Sequence, residues 1–501
     1  MQRLRLDLAH ASLARRRTRI VATVGPASTS DEAIAALIEA GVDVFRLNFS
    51  HGTQAGHGEM IERIRRLADK VGRFTAILAD LSGPKIRAGV MTGGGLELPT
   101  GSEVTVTTRA VVGVIGANGA PTIVPSQYPA LAKDVKAGDR ILLDDGNMEF
   151  KVIDSDGVSE VRCVVVVGGL LKDKKGMNLP GVAISTPAVT TKDRSDALFA
   201  AAHGVDFLAL SFVRSAADVA ILRDLLVLHG HGAIPLIAKI EKPEALDEID
   251  AIFDATDGIM VARGDLGVEM LPEEVPLIQA ELVRMAIAKN KPVIVATQML
   301  ESMIDNPRPT RAEVTDVAAA AQSLADAVML SAETAVGRFP VDAVKTMDRI
   351  LRMVEGYQWQ HGQHGVVADL RAGREGLGAH ENDPGEALSR ATSLLSRDLE
   401  VRAVVVATRS GRTARLVSAE RPAAPVVALT SEPALARQLS LCWGLIAQVV
   451  DEAALKRPQA PARAAVAGFD LACTGQRVLL VWDASDGGGA PVESTVSILT
   501  V

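Results

Sequence analysis

Short apolar runs recur along the chain, and most are followed by a stretch whose apolar positions return with helical period. The runs are "RIVATVG", "DVFRLNFS" and "TAILADL", then after a long interval "DFLALSF", "PLIAKIE", "GIMVARGD", "PVIVATQ" and "AVMLSAE". Continuous apolar runs without alternation are what strands buried on both faces require. Intervening segments such as "SDEAIAALIEAG" and "EEVPLIQAELVRMAIAKNK" place their apolar residues on one helical face. Eight strand-then-helix units predict an α/β protein built on a (β/α)8 barrel. A doubly wound open sheet shows the same alternation and stands as the alternative.

The interval between Arg87 and Thr186 has a different texture. "EVTVTT", "DRILLDDG", "MEFKVID" and "EVRCVVVVGG" are β-like runs separated by Gly, Asp and Asn turns. It reads as a small β domain inserted after the third barrel strand. Past Tyr357 comes a polar connector rich in Gly and His, in which His361 and His364 are more simply solvated than metal-bound. Beyond it "ALSRATSLLS", "VRAVVVAT", "RTARLVSAE", "APVVALT" and "RVLLVWDA" alternate again as a further α/β domain. The expected division is an arm over 1–18, a barrel over 19–86 and 187–357, an inserted β lid over 87–186, and a C-terminal α/β domain over 358–501.

Composition agrees with this scale. The chain has 501 residues, of which 48% are hydrophobic, enough for several packed cores. A net charge of −8 argues against a nucleic-acid-binding surface. The three cysteines are widely separated, which fits a reducing, cytoplasmic setting better than a disulfide framework or a zinc site. The basic start "MQRLRLDLAHASLARRRTRI" lacks a continuous apolar segment and reads as a helical arm, not a signal peptide. No apolar run approaches the roughly 20 residues needed to span a bilayer, so no membrane partner is expected.

Charge at the strand ends changes the picture further. In "PLIAKIEKPEAL" the apolar strand ends in Lys239 and Glu241, two residues apart and therefore on one side. Burying both is costly unless chemistry needs them. Other predicted strand ends are as polar: Arg46, Asn48 and Ser50 after the second, Asp80 after the third, Arg263 and Asp265 after the sixth, Thr297 after the seventh, Ser331 and Glu333 after the eighth. Catalytic groups of a (β/α)8 barrel gather at this edge; the plainer reading is a polar layer that caps the barrel. Glu241 and Asp265 are hard oxygen ligands suited to Mg²⁺ or Mn²⁺. Lys239 adds a point charge and Arg46 a fork for phosphate or carboxylate. Cations around a metal stabilise a migrating phosphoryl group or an enolate. Lys172, Lys174 and Lys175 in "KDKKGMNLPG" suit nucleotide phosphates or, equally, a solvated basic turn.

Taken together, "RLNFSHG", "GPKIRAG", "DDG", "KKGMNLPG", "AKIE", "VARGDLG", "ATQMLESM" and "MLSAET" resemble pyruvate kinase, in that family's order and over nearly the whole chain. The resemblance implies a (β/α)8 barrel, a mobile small β-barrel lid after the third strand and a C-terminal α/β domain. It implies transfer of the phosphoryl group of phosphoenolpyruvate to ADP, giving pyruvate and ATP. Lys239 looks like the family's catalytic lysine, Arg46 like its phosphate-contacting arginine, and Glu241 and Asp265 like the Mg²⁺ ligands. The backbone of Ala262, Arg263, Gly264 and Asp265 and the hydroxyl of Thr297 resemble the cradle for the substrate carboxylate. Thr297, Ser331 and Glu333 stand where a relay could protonate the enolate carbon. Asn48, His51, Arg87 and Lys175 match nucleotide-side positions, and Asp144 to Gly146 either touches the bound complex or forms a solvated turn.

Asn48, Ser50, Asp80 and the carbonyl of Leu81 match the family's K⁺ position. K⁺-dependent members, however, carry glutamate where this chain has Lys85, and threonine and lysine where it has Leu81 and Ser82. The pattern resembles the potassium-independent branch, with Lys85 as substitute cation. In the C-terminal domain Thr408, Ser410, Gly411, Arg412 and Thr413 lie between a strand and a helix, where family members bind phosphorylated effectors. Asp483, Asp486 and Glu493 in "WDASDGGGAPVEST" would repel a bisphosphate, so a monophosphate is expected. The family is usually homotetrameric. Two other classes share part of the pattern, a metal-dependent barrel lyase or aldolase and a catalytically silent metabolite sensor. The lid and "KKGMNLPG" speak against the first, and the intact Lys239, Glu241, Asp265 and Thr297 against the second.

Overall fold

The computed structural model describes residues 13–117, 120–362, 383–484 and 493–501. Eight parallel strands close into a barrel: β1 (Arg19–Thr23), β2 (Val44–Asn48), β3 (Ala76–Asp80), β4 (Phe207–Leu210), β5 (Leu236–Ile240), β6 (Gly258–Ala262), β7 (Val293–Ala296) and β8 (Ala327–Leu330). The open-sheet alternative is therefore excluded, since β1 pairs with both β2 and β8. Nearly every residue of these strands is buried, as their unbroken apolar character requires. One set of side chains, including Val21, Leu78, Phe207, Met260 and Met329, fills the barrel interior. The other set packs outward against the helices.

The barrel floor carries a repeated fastening. An Asp precedes each even-numbered strand and accepts the N–H of the first or second residue of the odd-numbered strand beside it. The pairs are Asp43 with Ile20 at 2.9 Å, Asp206 with Ile77 at 2.7 Å, Asp257 with Leu236 at 2.8 Å and Asp326 with Val293 at 3.2 Å. Each bond satisfies a strand-start donor that the ladder leaves over and fixes register between neighbours.

Between β3 and β4 the chain leaves the barrel and forms the lid. Its six-stranded sheet runs Met177–Asn178, Arg140–Leu143, Met148–Ser155, Glu160–Val167, Glu103–Thr107, Thr122–Pro125, with a separate ribbon of Gly95–Leu98 and Gly169–Lys172. The expected small barrel takes the form of this curled sheet around its own core, which includes Leu143, Phe150 and Cys163. The two lid roots are joined to each other: Ala88 N–H donates to the Lys175 carbonyl at 2.8 Å and Met177 N–H to the Ile86 carbonyl at 3.0 Å.

The C-terminal domain is a five-stranded sheet in the order Leu445–Val449, Val426–Thr430, Val404–Ala407, Arg477–Ala484, Glu493–Thr500, of which only the last strand is antiparallel. It docks on the barrel floor through the same aspartates. Arg421 reaches Asp326 at 2.9 Å, Arg437 reaches Asp206 at 2.8 Å, and Trp443 N–H donates to Asp326 at 3.0 Å. Leu441 from this domain joins the barrel's interior cluster. His361 stacks on Tyr357 at the end of the Pro340–Gln360 helix, while His364, Asp486 and the side chains of Asp483 and Glu493 lie outside the described residues.

Candidate active site

At the opposite, C-terminal end of the barrel the strands converge on one cluster of charges. Lys239, near the end of β5, is 9% exposed and its ammonium lies 2.8 Å from Glu241 Oε1 and 3.3 Å from Asp80 Oδ1. It also donates to Ser211 Oγ at 2.7 Å. Arg46 on β2 pairs with Asp80 Oδ2 at 2.6 Å and donates to Thr23 Oγ1 at 3.1 Å. Asp80 thus bridges the two cations. Burial alone would pull the Lys239 ammonium down, but Asp80 and Glu241 outweigh it and the pKa rises, so Lys239 stays charged. Burial would likewise push Asp80 up, and the Lys239 and Arg46 charges hold it below the ordinary carboxylate range.

Glu241 is 1% exposed, and burial raises its pKa against the pull of Lys239. Asp265, in the first turn of the Arg263–Glu269 helix, adds a second negative charge that raises it further. A buried carboxylate that feels a second one is a donor set a divalent cation relieves. No group of three or more metal-binding side chains gathers among the described residues. Mg²⁺ is commonly held by one or two carboxylates, with waters and substrate oxygens completing its shell.

Sequence reasoning finds β4 but not the role of the residues at its end, Ser211 and Phe212. Ser211 donates to the Leu81 carbonyl at 2.7 Å while receiving Lys239, and the Phe212 N–H donates to Glu241 Oε2 at 2.8 Å. Phe212 adopts a left-handed backbone, φ 56°. Gly83, φ +61°, makes room for it: a Cβ there would lie 2.7 Å from Phe212 Cδ2 and 3.0 Å from Ser211 Cβ. The only sign was a Ser just after an apolar run.

At the ends of β6 and β7, Gly264 N–H donates to Thr297 Oγ1 at 2.7 Å, and Thr297 holds a left-handed backbone, φ 70°. Such a conformation in a β-branched residue is strained and is characteristic of functional loops. The Arg263 side chain turns to Asp316 at 2.5 Å and to the Thr297 carbonyl at 2.6 Å. It ties the start of the Arg263–Glu269 helix to the end of β7. Glu333, buried, accepts N–H bonds from Leu300 at 3.1 Å and Ser331 at 2.7 Å. The Thr297 hydroxyl itself donates to the Ala296 carbonyl at 2.6 Å.

An open cleft of ≈ 460 Å³ adjoins this cluster, lined by Lys85, Phe212, Lys242 and Asp265 from the barrel and by Met177 and Asn178 from the lid. The chain matches the family model for the pyruvate kinase barrel domain over residues 15–344 and that for the pyruvate kinase alpha/beta domain over 386–488. The chain belongs to the pyruvate kinase family. It is 45% identical over 433 residues to the pyruvate kinase of Geobacillus stearothermophilus, covering 86% of this chain and 71% of that one. It is 44% identical over 429 residues to that of Mycobacterium tuberculosis strain H37Rv, covering 86% of each. A solved pyruvate kinase from Cryptosporidium parvum superposes with a TM-score of 0.85 at 32% identity, covering 99% of this chain and 97% of that one.

The remaining pyruvate kinase positions fall in three places. Asn48 accepts the Ser50 N–H at 3.1 Å in the turn after β2. Burial lowers the pKa of the adjoining His51, with Arg87, Lys85 and Arg46 adding to the effect. At the lid roots, Lys175 pairs with Asp144 at 2.5 Å and Arg87 donates to the Lys174 carbonyl at 3.2 Å. Lys172 ends the lid ribbon and is exposed. Where the sequence suggests a monovalent-cation position, both Asp80 oxygens and the Leu81 carbonyl are engaged by Lys239, Arg46 and Ser211. Lys85 is exposed and makes no ion pair with a described residue.

In the C-terminal domain Gly411 N–H donates to Thr408 Oγ1 at 2.9 Å and Arg412 N–H to Ser410 Oγ at 3.3 Å. The loop opens the Arg412–Ala419 helix, whose buried residues include Thr413.

Proposed function

We propose that this chain transfers the phosphoryl group of phosphoenolpyruvate to ADP, giving pyruvate and ATP. One observation supports it most: a permanently charged Lys239 beside Glu241, with Arg46 on the other side of Asp80, at the mouth of a barrel of this family. The substrate phosphate is assigned to Arg46 and Lys239, and its carboxylate to the backbone from Ala262 to Asp265 with Thr297. Glu241 and Asp265 would hold Mg²⁺, which when bound neutralises charge on the phosphoryl and enolate oxygens. Lys239, fixed by Asp80 and Ser211, meets the charge that grows on the enolate oxygen without having to reorganise. Arg87 and Lys175 bring cations to the nucleotide phosphates from the lid roots, and lid closure dries the site so that ADP rather than water receives the group.

Three finer assignments accompany this reading: independence of K⁺ through Lys85, a monophosphate effector at Thr408 to Thr413, and a homotetrameric assembly. ATP formation from ADP and phosphoenolpyruvate, followed through hexokinase, glucose-6-phosphate dehydrogenase and NADP⁺, tests the main reading. Failure of the pure chain to form ATP with Mg²⁺ present would overturn it. Ser410→Ala should abolish any activation by sugar or nucleoside monophosphates, and a wild-type saturation curve indifferent to them would remove the effector site.

A further inference from the structure

The Arg263–Glu269 helix carries more than Asp265. Its last residue, Glu269, has a side chain 1% exposed, and its Oε1 accepts from Lys242 Nζ at 2.6 Å and from Asn178 Nδ2 at 2.8 Å. Lys242 is also buried and directly follows Glu241. Asn178 belongs to the lid strand Met177–Asn178. One carboxylate oxygen therefore joins three segments: the loop that bears Glu241, the helix that bears Asp265, and the lid root. The lid also approaches this helix at Gly146, where an added Cβ would lie 3.7 Å from Val268 Cγ1.

Packing alone is a poor account of this arrangement. A buried Lys–Glu pair pays a desolvation cost that two apolar side chains of similar volume would avoid. The second oxygen, Glu269 Oε2, is buried with no hydrogen-bond partner among the described residues, which a group chosen only for stability would not leave. The pair's placement suggests geometry instead. Each partner is within one helical turn of a carboxylate, Lys242 next to Glu241 and Glu269 four residues after Asp265.

We propose that Glu269 is a positioning residue that sets the separation of Glu241 and Asp265 and couples it to the seating of the lid. With Asn178 in place, Glu269 Oε1 is shared between lid and loop. If the lid root moves away, Lys242 becomes its sole donor, and the two ligand-bearing segments readjust. The inference rests on Glu241 and Asp265 being the metal ligands.

The experiment measures Mn²⁺ binding to the full chain without substrates, by the electron paramagnetic resonance of free Mn²⁺, alongside steady-state kinetics. Glu241→Gln comes first: if it binds Mn²⁺ like the wild type, the ligand assignment itself is wrong. Given that it does not, Glu269→Ala and Lys242→Met are expected to weaken Mn²⁺ binding about tenfold, with Glu269→Gln recovering part of the loss. Asn178→Ala should weaken substrate-free Mn²⁺ binding measurably but less than Glu269→Ala does, lower kcat more than it raises KM, and speed amide exchange in Arg140–Leu143. If Glu269→Gln and Lys242→Met keep wild-type Mn²⁺ affinity and kcat, the proposal is overturned. A lowered melting temperature with both quantities intact, in Glu269→Ala, would equally mark a packing role and overturn it.

Discussion

Arg46 and Lys239 are held on opposite oxygens of one carboxylate, that of Asp80. Two buried cations this close would otherwise repel each other. Asp80 keeps them together and in place, from a strand that lies between theirs in the barrel order but two strands from β5. The relationship makes Asp80 central to both stability and turnover.

Asp80→Asn should therefore cost about 3–5 kcal/mol of stability at pH 7, the range for breaking a buried ion pair. Because the native pKa of Asp80 is depressed, its contribution is fully present above the unfolded value of roughly 4 and lost as pH falls through the native value. Urea unfolding should show the gap between wild type and mutant narrowing as pH drops below roughly 4. A gap that stays constant or widens there would sink the assignment.

Lys239→Met should lower kcat by about a thousandfold or more while leaving phosphoenolpyruvate affinity nearly unchanged. The raised pKa makes the group a fixed charge across the neutral range. Turnover within a few per cent of wild type, or a loss confined to KM, would contradict the role.

Gly83→Ala places a Cβ against Phe212 and Ser211 at a positive φ. The substitution should cost about 1–2 kcal/mol from the backbone alone and displace the N–H that holds Glu241. The expected signature is a raised Mg²⁺ requirement with little change in nucleotide KM. Mg²⁺ titrations that superpose on those of wild type would refute the coupling.

Lys85 stands exposed at the lid root, close enough to His51 to add to the lowering of its pKa. Wild-type enzyme should run at full rate with Mg²⁺ in buffer free of sodium and potassium. Lys85→Glu should lose most activity there and regain part of it on adding K⁺. Many-fold stimulation of the wild type by K⁺ would end this reading.

The barrel was legible in the sequence because strands buried on both faces must be apolar throughout, and "PLIAKIE" or "PVIVATQ" show it without an alternating pattern to decipher. The charged strand ends were legible because Lys239 or Arg46 is conspicuous in such a run. Ser211 and Phe212 were not, since a serine after an apolar strand is unremarkable and a backbone N–H has no letter of its own. Asp80 was read as part of a cation position, whereas the structure makes it the bridge between Arg46 and Lys239. Glu269 and Asn178 are 91 residues apart, and no local pattern announces that they meet. What the sequence conceals is chiefly contact between distant loops, and the site is made of those.

The floor aspartates repeat every second strand, so the ring is an assembly of four two-strand segments, each with its own clasp. The lid interrupts one segment from within: the clasp between Asp206 and Ile77 closes across a sequence separation of 129 residues. Entry and exit of the lid lie at the opposite end of that segment and are tied to each other at their roots. The lid is thus a graft on a rung that holds without it. Excising it and joining the stumps with a short turn should give a barrel that closes but cannot shut its mouth.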